Sequence, residues 1–500
     1  MQKVGRPYLY ALIAALVLIL PVLLNGAAFF YEDSIGYVGK AVGPVRAAGL
    51  HLKAGDDWLA AAKHHDAAAA PAVATVATPA PQAAPMAPAA APRVWIAGRS
   101  LVYSVATYLL YAAGGFTLVA FWQALMIAVP LALVWMRCLG LSGWSLIVGA
   151  AVLAVASSLP LFAGLVMPDY AAALIALIPA MLLAFGARLR SLDHVVLFAL
   201  LAYAAMLHDS HVVVLAGMLA LCAIVALLVR RQGGSAAWPW TTAFALLAAI
   251  FYLQAFALVA RKTTGLPLMR LPHLTAHFAE SPILSGYLAR TCPGNGFLLC
   301  DYRNRLPVVW TDFLFGQHFY GGMDYAGQRR LSDQQVPLLI AMAKDRPVAV
   351  ATFLAGDALR QVVLFSYLDL DQARKLPFFA AMPAPQVARI EASAVVRHPG
   401  WLDAQDLLQR VVVWLSLPAL ALIAWRLRGD THARGWLLLA GIVCAGVVLN
   451  GLACGLLAFP YDRFQARVIW LLPFLALSGA ALIKRQSSAT ITPPGGPFDA

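Results

Sequence analysis

Ten stretches of this chain run apolar for long enough to cross a lipid bilayer, and that leaves few folds open. At a rise of about 1.5 Å per residue, some 30 Å of hydrocarbon needs roughly 20 residues of helix. The runs fall at about 8–30, 115–136, 144–166, 170–187, 193–207, 211–229, 239–260, 407–425, 435–458 and 467–483. Of the 500 residues, 62% are hydrophobic and 12% charged. That is half the charge of an ordinary soluble domain, which excludes a soluble globular enzyme, a coiled coil and a disordered chain. Barrel strands of an outer membrane alternate polar and apolar side chains and do not run apolar. The expected fold is an all-α polytopic membrane protein with about ten transmembrane helices. Asn25-Gly26-Ala27-Ala28 keeps a cleaved signal peptide open as an alternative for the first run.

The formal charge of +13 comes from 36 Lys+Arg against 23 Asp+Glu. The basic residues stand at the ends of apolar runs, so they read as orientation signals and not as a nucleic-acid surface. Lys3, Arg6, Arg137, Arg188, Arg190, Arg230, Arg231, Arg426, Arg428, Arg434, Lys484 and Arg485 fall on one side if the N-terminus is cytoplasmic. The turns Met167-Pro168-Asp169-Tyr170 and His208-Asp209-Ser210-His211 then lie outside and carry no Lys or Arg. Both termini are expected inside.

The chain divides into a module of seven spans over 1–260, an exported segment over 261–405, and three spans with a tail over 406–500. A charge-free insert at 67–92, dominated by Ala and Pro and holding six prolines, interrupts the first outer loop and reads as flexible or polyproline-like. The exported segment is charged, rich in Pro and Gly, and long enough for a small mixed domain. It holds the two cysteines outside the membrane, Cys292 and Cys300, which are expected to form a disulfide around Pro293-Gly294-Asn295-Gly296.

Ionisable residues at a membrane face are costly to place and are therefore candidates for function. Glu32 and Asp33 follow the first run, where adjacent carboxylates suit a general base or a divalent cation; a solvated helix end is the plain alternative. Asp169 sits in a turn too short to leave the outer surface and either caps the next helix or joins that acidic pair. His208 and His211 flank a carboxylate in a spacing compatible with zinc, although a short polar turn explains them as well. Arg463 and Arg467 are four apart, hence on one helix face. Arginine suits phosphate because its donors are forked and permanently charged; interfacial snorkelling is the other reading.

This arrangement resembles the GT-C superfamily of integral-membrane glycosyltransferases, which use polyprenyl-phosphate-linked sugars on the outer face of the membrane. Glu32-Asp33 with Ser34 and Tyr37 is similar to the acidic motif of the first outer loop, and Asp169 to the second acidic position between the third and fourth spans. Gly98-Arg99-Ser100 and Val102-Tyr103-Ser104 resemble the amphipathic approach to the second span. Arg463-Phe464-Gln465-Ala466-Arg467 resembles the stretch before a late span. The likeness covers about 1–230 and, more thinly, the C-terminal end. The Ala/Pro insert and the segment 261–405 depart from the family pattern.

The resemblance implies an inverting transfer of a sugar from a polyprenyl-phosphate donor to a glycan, lipid or protein acceptor. Asp33 is then the general base, Glu32 and Asp169 orient the acceptor or bind a divalent cation, and Arg463 with Arg467 holds the leaving lipid phosphate. No glycine-rich phosphate loop of the Walker type is found. Ala-, Arg- and Gly-rich usage points to a GC-rich bacterium and so to its inner membrane. Two rival readings stay open: a transporter or flippase, which would show repeats and mid-span charges, and a non-catalytic envelope or polysaccharide assembly factor. For topology, reporter fusions after Arg231 and after Lys484 are expected to read cytoplasmic and one near Asn304 exported; a cytoplasmic signal at Asn304 overturns the map.

Overall fold

The computed structural model describes residues 5–69, 98, 100–231 and 239–491. Most of the insert at 67–92, with Lys3 and Arg99, lies outside the described residues. The regular elements of the described chain are helices, without a strand; an isolated parallel bridge joins Phe29 and Leu165.

Among the described residues, eight helices are long and apolar enough to cross a membrane, and two more are apolar but shorter. In chain order the ten are α1 (Arg6–Asn25), α2 (Leu101–Cys138), α3 (Gly143–Ala156), α4 (Pro168–Arg188), α5 (Ser191–Met206), α6 (Asp209–Arg231), α7 (Trp240–Thr264), α8 (Gly400–Leu427), α9 (Thr431–Leu457) and α10 (Arg463–Ser487). The two short ones are α3 and α5, which correspond to the third and fifth apolar runs. Composition hides why the third run is not one long helix: Ser157 is extended, and a separate short helix, Leu159–Gly164, follows. The 38 residues of α2 are more than a bilayer requires. Non-helical Gly114 and left-handed Gly115 break it where the apolar run begins, which only glycine does cheaply.

Polar side chains sort to the two ends of the bundle. At one end, Asp193 accepts a hydrogen bond from Tyr8 (2.8 Å) and pairs with Arg137 (3.3 Å). Arg188 and Arg485 there donate to the carbonyls of Cys138 and Leu139, at 2.6 and 2.7 Å. The other end gathers Tyr31, Asp169, Arg463 and Arg467.

The expectation of a small mixed domain over 261–405 is corrected in two respects. The regular elements of the segment are helices only, because several of its prolines and short polar residues start helices. Pro282 and Pro347 occupy first-turn positions, and Ser281 and Asp324 accept hydrogen bonds from the amides of Ile283 and Gly327; Pro and small polar residues are favoured at those positions. Nor does it share one core. Buried apolar side chains from Ala276 to Val350 form their own cluster, whereas Phe365, Tyr367, Leu370, Phe379 and Val395 join the core of the main bundle. Cys292 and Cys300 are disulfide-bonded, with Cα atoms 5.6 Å apart.

The seam between the segment 261–405 and the bundle is glycine-dependent. Helix Pro347–Val363 lies on the last turns of α9 so closely that a β-carbon on Gly455 would stand 2.6 Å from the Asp357 carbonyl oxygen and 2.7 Å from the Ala358 Cα. Backbone atoms cannot yield as side chains do. Gly455→Ala is therefore expected to destabilise the protein by about 1–3 kcal/mol, read as a fall in the thermal midpoint of the purified protein. Gly441→Ala, on the same helix with nothing within 4 Å of the added carbon, is expected to change it little.

Candidate active site at one end of the bundle

The site is assembled by a short stretch of extended chain. After α1, Gly26 adopts a left-handed conformation (φ 79°) and turns the chain back. Phe29 then donates its amide to the Gly164 carbonyl (3.0 Å) and accepts one from Val166 (2.9 Å). This bridge sets Tyr31-Glu32-Asp33 alongside Met167-Pro168-Asp169, so the two acidic motifs become neighbours through backbone pairing. Gln123 secures the second strand of the pair by donating to the carbonyls of Ala163 and Leu165.

Glu32 and Asp33 occupy the first turn of the helix Glu32–Ala47, with Ser34 Oγ accepting the Tyr31 amide at 2.8 Å. Carboxylates are favoured there by the helix dipole, so the helix-end reading of this pair holds locally. Its surroundings add more. Lys375 donates to Glu32 Oε1 (2.9 Å) and stands 4.1 Å above the Tyr31 ring. Gln372 clasps Phe30, accepting its amide and donating to its carbonyl. Both residues come from the segment expected to be a separate domain. Asp33 is half-buried and lies in the field of Arg463.

Asp169 does not cap the helix that follows; no side chain does. It is buried and pairs with Arg467, Oδ1 to Nη1 at 3.3 Å. Asn450 Oδ1 approaches the same guanidinium at 3.3 Å. Arg467 is thus engaged by protein on several sides and is only 2% exposed.

Arg463, one turn earlier, is different. It is 7% exposed, with its guanidinium stacked 3.9 Å from the centre of the Tyr31 ring, a cation–π contact. Nη1 approaches Met167 Sδ, and Nε, like that of Arg467, has no hydrogen-bond partner. Among the described residues no carboxylate lies within 4.0 Å of it, whereas Arg467 has Asp169. The Tyr31 hydroxyl meets that of Tyr461 at 2.9 Å.

Asp369, which the sequence reading did not select, faces this group. Both its carboxylate oxygens are shielded from solvent with no donor within hydrogen-bond distance, while the Tyr461 hydroxyl acts on the carboxylate as a weaker donor from farther away. Burial pushes its pKa up to about 6, against the pull of Arg463 and Lys375. The only mark it leaves in the sequence is a carboxylate between two leucines, Leu368-Asp369-Leu370.

Several other candidates have structural occupations. Tyr37 is buried and packs edge-on against Tyr103 at 5.0 Å. Gln465 is buried between the side chain of Asn450 and the carbonyl of Val447. His211 Nδ1 binds the Ala204 carbonyl at 2.8 Å, and His208 Nδ1 caps the turn through Ser210. Burial and nearby Arg467 hold the His208 pKa below its usual value. Among the described residues no three His, Cys, Asp or Glu side chains are grouped to hold a metal ion.

No protein-family model, curated protein or solved structure matches the chain.

The Asp169–Arg467 pair generates a sharp expectation. Asp169→Asn leaves a buried guanidinium without its counter-charge, which typically costs about 3–5 kcal/mol, so the yield and thermal midpoint of folded protein should fall steeply. Asp169→Asn combined with Arg467→Gln should recover most of the loss, because neither charge is then stranded. Equal instability in single and double variants rejects the pairing.

Proposed function

We propose that this chain is an inner-membrane glycosyltransferase of the GT-C type, crossing the bacterial membrane ten times with both termini in the cytoplasm. It moves a sugar from a polyprenyl-phosphate donor to an acceptor at the outer face. The observation that carries the reading is Arg463: a buried, permanently charged guanidinium that no carboxylate neutralises within 4.0 Å among the described residues. Asp169, Asp369 and Asp33 act on it only from beyond that distance; a buried cation that makes no direct ion pair is costly to hold, and an anionic ligand group in contact with it offsets the cost. Phosphate fits the forked donors of arginine.

In this reading the paired and the bare charges have separate tasks. Asp169 and Arg467 hold the start of α10 in place, Lys375 holds Glu32, and Arg463 receives the phosphate. The acceptor hydroxyl gives its proton to Asp33 and its oxygen attacks the anomeric carbon. The bond from that carbon to the phosphate oxygen breaks, and the lipid phosphate leaves with the electron pair and one more negative charge. Arg463 stabilises that charge as it grows, and electrostatic stabilisation of this kind is often the largest catalytic contribution. Inversion follows from a single displacement. The donor brings its own activation, which accords with a chain that has no nucleotide loop.

Binding and turnover separate the roles. In lipid nanodiscs, Arg463→Lys keeps the charge but loses the fork and the ring stacking, so affinity for polyprenyl phosphate should fall about tenfold, the equivalent of 1.4 kcal/mol. Asp33→Asn should keep that affinity while sugar transfer drops by about 10²–10⁴-fold, the usual contribution of a positioned base. Parent-like binding by Arg463→Lys reduces this arginine to a packing residue, and full transfer by Asp33→Asn removes the base assignment.

A further inference from the structure

Asp369 and Arg463 are opposite charges in one shielded place, yet they do not form an ion pair among the described residues. Each is held by its own support. Arg463 is fixed by the Tyr31 ring and Met167. Asp369 sits in the turn Leu368–Leu370, pinned by the Leu370 amide on the Tyr367 carbonyl (2.9 Å) and by Gln372, which donates to Leu370 O (2.9 Å) while clasping Phe30. The groups facing Asp369 are Arg463, Lys375, Asp462 and Tyr461, with Tyr31 beyond. Asp462 is already engaged by the Ser366 amide at 3.0 Å and Lys375 by Glu32. What lacks a partner within hydrogen-bond distance is two carboxylate oxygens on one side, which the Tyr461 hydroxyl reaches only weakly, and the Nε of Arg463 on the other.

Buried polar atoms are nearly always hydrogen-bonded, and leaving one bare costs about 1–3 kcal/mol. The missing group must give a hydrogen to a carboxylate while tolerating, or accepting from, a guanidinium. A second phosphate oxygen satisfies the arginine and is repelled by Asp369. An ammonium satisfies Asp369 and is repelled by Arg463 and Lys375. A hydroxyl does both, because it is a donor and an acceptor at once. We infer that Asp369 is the specificity residue of this site, accepting a hydrogen bond from a sugar hydroxyl adjacent to the phosphate held by Arg463. The inference rests on the reading of the site as one for a lipid-linked glycosyl phosphate, and it adds that the outer segment, through Asp369, reads the sugar. It also accounts for a carboxylate retained, at a cost in stability, against the cation that holds the phosphate.

The test uses the full-length protein in nanodiscs and four probes: polyprenyl phosphate, and polyprenyl phosphates bearing glucose, galactose or mannose. The parent protein should bind at least one sugar-bearing lipid about tenfold or more tighter than the bare lipid phosphate, the size of one hydrogen bond to a charged acceptor. Asp369→Asn should erase that preference without weakening the binding of bare polyprenyl phosphate, which loses a repelling charge, the opposite pattern to Arg463→Lys. Asp369→Glu keeps the charge but displaces the oxygens, and it should also lose the preference; thermal midpoints of all variants verify folding. If the parent shows no preference for any sugar, or the preference survives in both Asp369 variants, only water bridges the gap and the inference falls while the phosphate reading stands. If Asp369→Asn weakens bare and sugar-bearing lipids alike, Asp369 is a general support and the inference falls. If the parent binds no polyprenyl phosphate at all, the reading of the site fails and takes the inference with it.

Discussion

The buried pair Asp169–Arg467 is the interaction on which the far end of this bundle depends. Its partners are 298 residues apart, and it joins the start of α4 to the start of α10. Asn450 of α9 approaches the same guanidinium, so three helices meet on one charge. The Ser158 hydroxyl, donating to the Ala466 carbonyl at 2.6 Å, ties the chain after α3 to the same turn. Two charges out of water are rarely a net source of stability. What they supply is geometry, because any displacement of α10 strands both. Arg463, one turn ahead on the same helix, thereby has a fixed direction toward Tyr31.

The segment 261–405 is the second constraint. Gln372 satisfies both the amide and the carbonyl of Phe30, the work a neighbouring β-strand would do, and it does so where the chain lies extended before Glu32. Lys375 then neutralises Glu32 from the same short helix. The acidic motif is therefore held from one side by the Phe29–Leu165 bridge and from the other by residues some 340 positions later, consistent with the separation of 343 between Lys375 and Glu32. The opposite end of the bundle is built differently. There Asp193 is shared by Tyr8 and Arg137, and arginines reach backbone carbonyls, contacts that fasten helix ends together.

Hydropathy made the helices legible, because an apolar run must bury or face lipid whatever its neighbours are. The breaks inside the runs were less legible. Ser157-Ser158-Leu159-Pro160 carries the signal for the end of α3, but Ser157 satisfies itself on the Leu153 carbonyl, so its polarity is absorbed locally. Glu32, Asp33, Asp169, Arg463 and Arg467 stood out as charges at the edges of apolar runs, and the fold brings them to one end. Which of them are paired was not legible, since the Asp169–Arg467 contact is set by how helices cross and not by spacing. Asp369 and Lys375 were invisible for the same reason: within 261–405 charged residues are ordinary, and only their approach to Tyr31 separates them from Asp371 or Arg374.

Pairing itself divides the labour among these charges. Arg467 has Asp169, Lys375 has Glu32, and Asp462 has the Ser366 amide; each of these is tied to holding one chain segment against another. The polar atoms of Arg463 and Asp369 are shielded as well, yet among the described residues neither forms an ion pair within 4.0 Å, as Arg467 does with Asp169. Had they served only to join elements, the simplest arrangement would have brought them into contact, as Asp169 and Arg467 are. Their supports, Tyr31 on one side and Gln372 on the other, instead keep them apart, and both supports also fix the acidic motif. A scaffold that holds a cation and a carboxylate near each other without letting them neutralise keeps two strong hydrogen-bonding groups ready for a molecule that is not part of the chain.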